Sequence, residues 1–248
     1  MTREPGGAGL GIGSILIVVS AREAQEGGRR VALTNREIEL LVALGLQPCP
    51  RSARWFASVL YDEENLAAGE SMVKVYVHRI RRRLGADTVV SCAGGYRLST
   101  RVRVDVCFLE AAVLADRDRL ETLDMRQLDG LVAMARQLAV SRPEPLASRR
   151  WFAATDARMT ATAIDAIVEV AALYGRRGDH RRALKAAALS LASDPYHEPA
   201  LELAIRSHMA LGDRASAALE YRRYRTLLNA QLQLAPSRTI SDLLSIAS

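Results

Sequence analysis

Ser71-Met72-Val73-Lys74-Val75-Tyr76-Val77-His78-Arg79-Ile80-Arg81-Arg82-Arg83-Leu84 decides the fold of the first part of the chain. Ser71 predicts a helix N-cap, because its hydroxyl can accept from a free backbone amide. At about 100° per residue, Val77, Ile80 and Leu84 fall within about 40° of Val73, with Tyr76 at the edge of that stripe. The opposite side carries Val75, His78, Arg79 and Arg82, flanked by Lys74, Arg81 and Arg83. One face is therefore core and the other is cationic.

Working outward, Thr88–Val90 and Tyr96–Leu98 are β-prone runs around a Ser91–Gly95 turn, which predicts a hairpin. Upstream, Thr34-Asn35-Arg36-Glu37 reads as a capping box. The helix behind it turns Ile38, Leu41, Val42 and Leu44 inward and stops near Gly45–Pro50. A second helix is predicted from Ser52, with Trp55, Phe56, Val59 and Leu60 at helical spacing, and Asp62–Gly69 reads as a polar loop. Ile15–Val19 predicts a strand, and Gly27-Gly28 turns the chain into Arg29–Leu33, a second strand closing a hairpin. Three helices and a hairpin behind a strand pair describe a winged helix. In that arrangement the last helix enters a DNA major groove about 12 Å wide, and the hairpin lies along the neighbouring backbone.

The charge follows the same segment. The 248 residues carry a net charge of +6. From Ser71 to Arg103, Lys74 and seven arginines face Asp87 alone, a net of +7, which leaves −1 for the rest. A basic segment on a neutral body is the footprint of a polyanion partner. With 49% hydrophobic and 25% charged residues the composition excludes wholesale disorder. No apolar run reaches the roughly 18 residues of a membrane span. Cys49, Cys92 and Cys107 are odd in number and widely spaced, which predicts a reducing, cytoplasmic setting rather than a disulfide framework. A signal peptide is disfavoured, because Gly11 and Gly13 interrupt the apolar stretch and Glu4 offsets Arg3. Residues 1–13 read as a flexible tail.

Beyond Val104, strand signals vanish and Ala and Leu dominate. Gly178-Asp179 recurs as Gly212-Asp213, and Ala183 as Ala217, at the same 34-residue offset. With Tyr174 and Pro195, these positions have the spacing of a tetratricopeptide repeat. Helices are predicted over Ala161–Arg176, Arg181–Ser193, Glu198–Leu211, Arg214–Leu232 and Ser237–Ile246, with a helical cap drawn from Val104–Pro145. The fold class is therefore mixed: an N-terminal α+β winged helix-turn-helix, then an all-α tetratricopeptide-like domain. The divisions are 1–13 for the tail, 14–103 for the winged helix and 104–248 for the helical domain.

These motifs carry two resemblances. Residues 14–103 resemble the DNA-binding domain of OmpR/PhoB-type response regulators, chiefly in Val77-His78-Arg79-Ile80-Arg81-Arg82 and Gly95-Tyr96-Arg97-Leu98. The resemblance implies groove contacts at Lys74, Val75, His78, Arg79 and Arg81, and the wheel adds Arg82. Ser91, Cys92 and Gly94 fall in the wing. Cys92 stands where that family has an arginine, Ala93 where it has a glycine, and Lys74 where it has an acid. Weaker wing contacts and more electrostatic helix contacts follow. Residues 104–240 resemble the bacterial transcriptional activation domain of the Streptomyces antibiotic regulatory proteins (SARPs). The matching stretches are Val104-Asp105 with Phe108, Arg150-Trp151, Asp194-Pro195 with Glu198, Gly212-Asp213 through Tyr221, and Leu232 to Ser237. Gln233 occupies a position that is normally glycine there. The joint resemblance implies an activator that binds double-stranded DNA and recruits RNA polymerase, with two copies side by side on tandem half-sites.

Other chemistry finds no support. There is no Gly-rich phosphate loop, and His78, His180, His197 and His208 share no metal-ligand spacing with one another or with the cysteines. No enzyme, cofactor, metal or membrane association is expected. The competing reading is a non-DNA adaptor working through its helical half, which would have no need of the concentrated positive charge.

Overall fold

The computed structural model describes residues 15–19, 21–61, 66–140 and 150–245. The expected tail over 1–13 and the first half of the expected 62–69 loop, residues 62–65, lie outside them, while residues 66–69 are helical rather than loop. The chain divides into two compact units. One is Met1–Ala111 with Ser141–Met159, and the other is Ala112–Val140 with Thr160–Ser248.

In the first unit β1 (Ile15–Val18), β2 (Glu23–Glu26), β3 (Arg29–Val31) and β6 (Val102–Val104) form a four-stranded sheet ordered β3-β2-β1-β6, with β1 between two neighbours. All four of its residues are buried, which is why it reads as a continuous apolar run. Its antiparallel partner is β2 (Glu23–Glu26), and Gly27-Gly28 joins β2 to β3 (Arg29–Val31). The expected pairing of β1 with residues 29–33 is thus corrected. The Glu-Ala-Gln-Glu strand has almost no β-propensity and inserts only Ala24 into the core. Both turn glycines have positive φ, 57° and 81°, as a tight hairpin turn requires.

β6 (Val102–Val104) runs parallel to β1, with Ile15 opposite Val102 and Ile17 opposite Val104. Asp105, 1% exposed, fixes the junction: its carboxylate accepts from the Val19 amide at 3.0 Å and the Val106 amide at 2.9 Å. It opens the short helix α4 (Asp105–Leu109).

The three helices stand as the sequence predicts, with one exception. In α1 (Asn35–Gly45), Thr34 Oγ1 accepts from the Glu37 amide while Glu37 accepts from the Thr34 amide, completing the capping box. Ile38, Leu41, Val42 and Leu44 are all buried. α2 (Ala53–Leu60) is capped by Ser52, whose hydroxyl accepts from the Trp55 amide. The exception is α3, which spans Leu66–Leu84, so Ser71 lies inside it and is not its cap. Gly69 suggests a helix breaker, yet a Cβ there would stand 2.8 Å from Tyr61 Cδ2 and 3.3 Å from Ala57 Cβ. Close packing of α3 on α2 offsets the roughly 1 kcal/mol that glycine costs in a helix interior. Nearby, Tyr61 and Tyr76 share a 2.9 Å hydroxyl contact, and burial followed by that bond pushes Tyr61 up to about 12.

The second unit is helical. α5 (Arg117–Thr122) and α6 (Met125–Val140) precede the repeats. α7 (Arg150–Arg176) starts 11 residues before the expected Ala161, and its residues from Thr160 belong to this unit. α8 (His180–Ser193), α9 (Glu198–Ala210), α10 (Arg214–Leu232) and α11 (Arg238–Ser245) fall within one or two residues of expectation where described. Gly178 and Gly212 take φ values of 79° and 78° at the two turns. Asp179 then caps α8 and Asp213 caps α10, each accepting from the amide three residues on. Ala183 and Ala217 are both 0% exposed, the small residues that let helices cross closely. Gln233 adopts φ 55° and ψ 34°, and the Leu234 amide reaches back to the Leu228 carbonyl. The glycine-type turn is therefore built without glycine.

Candidate nucleic-acid interface

α3 separates its faces as the wheel predicts. Val73, Tyr76, Val77, Ile80 and Leu84 are buried, while Lys74, His78, Arg79 and Arg82 are exposed and Val75 is 39% exposed. His78, Arg79 and Arg82 have no side-chain partner among the described residues. Val75 is an apolar patch within this face, a shape suited to a thymine methyl.

Other cations of the segment are already engaged. Lys74 pairs with Glu70 at 3.2 Å, one turn back. Arg83 pairs with the fully buried Glu37 at 2.8 Å and donates to the Ala32 carbonyl at 3.1 Å. Arg101 bridges Glu26 and Asp87 at 2.7 and 2.8 Å. The excess read from residues 71–103 is thus partly cancelled by Glu26, Glu37 and Glu70, which lie outside that segment. Charge counted over that segment misses them because Glu70 lies just before it and Glu26 and Glu37 reach it across the fold.

The hairpin pairs β4 (Val89–Cys92) with β5 (Gly95–Leu98), in the register Val89 to Leu98 and Cys92 to Gly95. Ser91, Cys92 and Gly94 are exposed, and the Cys92 thiol donates to the Gly95 carbonyl. The hairpin is tied to the start of α2 through Arg51. The Arg51 amide donates to the Tyr96 carbonyl at 3.1 Å, and the Tyr96 amide to the Arg51 carbonyl at 2.8 Å. Gly95 at φ 121° makes this possible, since any Cβ there would run into the Arg51 carbonyl. Between the start of α2 and the hairpin lies an open cleft of about 390 Å³, with Ser52, Ala53, Cys92 and Gly94 in its wall.

Arg81 departs from its expected place. It is half-buried, and its guanidinium reaches Val89 and Ser91 of the hairpin. Sequence reading also passed over Arg51, which stacks 5.3 Å from the Trp55 ring centre, and Arg54, exposed on α2. The available signal was their position immediately around the Ser52 cap. Cys107 is half-buried, and burial pushes its thiol up, which disfavours the reactive thiolate. No cluster of His, Cys, Asp or Glu suited to a metal occurs among the described residues. No described helix is long and apolar enough to cross a membrane.

Comparison with known proteins bears on the fold and on the helical half of the chain. Residues 141–245 match the model of the bacterial transcriptional activator domain. The fold resembles Mycobacterium tuberculosis EmbR, solved in complex with a low-affinity phosphopeptide, with a TM-score of 0.71 at 18% sequence identity. The match covers 94% of this chain and 64% of that one, so the chain spans less than two thirds of that structure. No curated protein matches the sequence. The fold is a winged helix-turn-helix followed by a tetratricopeptide-like helical domain, and it is over the second of these that the chain is similar to the bacterial transcriptional activator domain.

Proposed function

We propose that this protein is a sequence-specific DNA-binding transcriptional activator that recruits RNA polymerase, with α3 as its reading helix. The observation that carries the reading is the cationic face of α3, where His78, Arg79 and Arg82 stand exposed without a side-chain partner among the described residues. Such a face favours a phosphate backbone, since every cation that replaces a condensed counterion adds to affinity. In this reading residues 14–103 hold the duplex. Lys74, Val75, His78, Arg79 and Arg82 face the groove, and Ser91, Cys92 and Gly94 lie along the adjacent strand. Residues 104–248 form the activation domain, and two copies bind in the same orientation on tandem half-sites. The protein acts in the bacterial cytoplasm and performs no catalysis. The match to an activator domain supports the regulatory part of the reading. An adaptor would leave the exposed cations of α3 without a purpose.

Mobility shift of the full chain on duplex DNA at two salt concentrations tests it. The expected result is affinity that falls with salt at a slope of about −0.9 per phosphate contact. Footprinting should show protection of two tandem half-sites. Absence of duplex affinity at low salt overturns the reading. Equal affinity for one and two half-sites, with one protomer on each, removes the side-by-side arrangement.

A further inference from the structure

Arg81 sits on α3 among residues that face solvent, yet its side chain turns toward the hairpin. Its Nε donates to the Val89 carbonyl at 2.9 Å, and a terminal nitrogen donates to Ser91 Oγ at 2.9 Å. Val89 and Ser91 are alternate residues of β4, so the planar guanidinium spans one repeat of the strand. On the other strand, β5 is held by the Arg51 backbone at Tyr96. The hairpin is thereby fixed from both sides, once by main chain and once by a single side chain.

Resting on the DNA-binding reading above, we propose that Arg81 is a positioning residue: it sets the wing against the reading helix and does not itself contact DNA. Swinging the Arg81 side chain away from β4 toward the groove would break both of these hydrogen bonds. Among the described residues Arg79 and Arg82 have no such bonds to break, and they supply the free charge. A lysine at position 81 would keep the charge but could not span both acceptors, because its donors radiate from one nitrogen. The function of Arg81 therefore depends on its shape rather than its charge.

The full chain carrying Arg81→Lys, Arg81→Gln, Ser91→Ala or Arg82→Ala distinguishes the two roles. Without DNA, amide hydrogen exchange across Val89–Leu98 should rise about tenfold in Arg81→Lys and about threefold in Ser91→Ala, as expected for losing one or both hydrogen bonds. Arg82→Ala should leave that exchange unchanged. With DNA, Arg81→Lys, Arg81→Gln and Ser91→Ala should weaken binding several-fold at an unchanged salt slope. Arg82→Ala should make the slope shallower by about 0.9. Intact duplex binding overturns the proposal alone if Arg81→Lys keeps wild-type exchange and affinity, or if Arg81→Gln loses the same slope as Arg82→Ala. A wild-type chain without duplex affinity overturns the DNA-binding reading itself, and the proposal with it.

Discussion

Four arginines of the helical unit and those on the outer face of α3 are the same side chain in opposite situations. In the helical unit Arg117 pairs with Glu169 and Arg176 with Glu121, each at 2.6–2.7 Å. Arg182 pairs with Asp179 at 2.6 Å and stands 3.3 Å from Asp129, while Arg177 donates to the Glu121 and Leu123 carbonyls that end α5. On α3, Arg79 and Arg82 reach out with no partner among the described residues. A chain with 32 arginines and two lysines cannot be read by counting arginines. A guanidinium whose acceptor the fold supplies is structural; an unpartnered one is only available for function, and exposed Arg126, Arg181 and Arg214 of the helical unit are unpartnered too among the described residues.

The largest effect should come from the unpartnered pair. Arg79→Ala with Arg82→Ala is expected to lower duplex affinity on the order of 30-fold at 0.15 M salt, the loss of two phosphate contacts. The melting temperature should not move. A fall in stability of comparable size, measured by thermal denaturation, would put these residues in the structural class and erase the contrast. Arg79→Ala alone separates two roles within the class: loss of preference at one base position marks a base contact, and uniform loss across sequences marks a phosphate contact.

The reverse experiment is Arg177→Ala. Removing both hydrogen bonds to the end of α5 should cost about 1 kcal/mol, discounted for the exposure of the side chain. Chemical denaturation checks this, and duplex affinity should stay at the wild-type value.

Acid should weaken the helical unit by a smaller amount. Hydrogen bonds from the Arg182 amide and then its guanidinium hold Asp179 below the ordinary carboxylate range. Burial pushes Glu198 up, but bonds from Ser237 and Tyr224 outweigh it and leave its carboxyl lowered. A carboxyl with a depressed folded pKa stabilises the fold above its unfolded value, about 4, and loses that contribution as pH falls through the folded value. The helical melting temperature should therefore be flat above about pH 5 and decline below pH 4. Asp179→Asn, which keeps the cap acceptor but cannot titrate, should flatten the decline. The smallest effect is a gain. Gln233→Gly relieves a side chain at positive φ and should add about 0.5 kcal/mol by denaturant titration, with no change on DNA.

Much of this was legible where the determining interactions are local. The capping box needs only residues 34–37, the two repeat turns need only Gly-Asp, and the stripe on α3 follows from helical spacing. The misses are non-local. β2 becomes a strand because β1 gives it a partner, not because of its own residues, and the Val-Arg-Val of β6, though β-prone, is too short to read as a strand without that partner. Gly69 extends a helix because Tyr61 leaves no room for a larger residue. For the candidate site, the exposure of Lys74, Val75, His78, Arg79 and Arg82 could be read from the wheel. The commitment of Arg81, Arg83 and Arg101 could not, because their acceptors come from β4, the start of α1, and β2.

The pairing of β1 with β6 has a consequence for how the molecule comes into being. The Val19 amide is satisfied by Asp105, 86 residues further on. During synthesis β1 emerges first, with every residue destined for burial, and β2 and β3 can close on only one of its edges. Its other edge stays open until the three helices and the hairpin have all been made. Pairings over such separations form slowly, because the loop must close before any contact rewards it. The nascent chain thus carries an unpaired apolar edge for most of the time needed to make the first unit. That interval is when misassociation with another copy is most favourable.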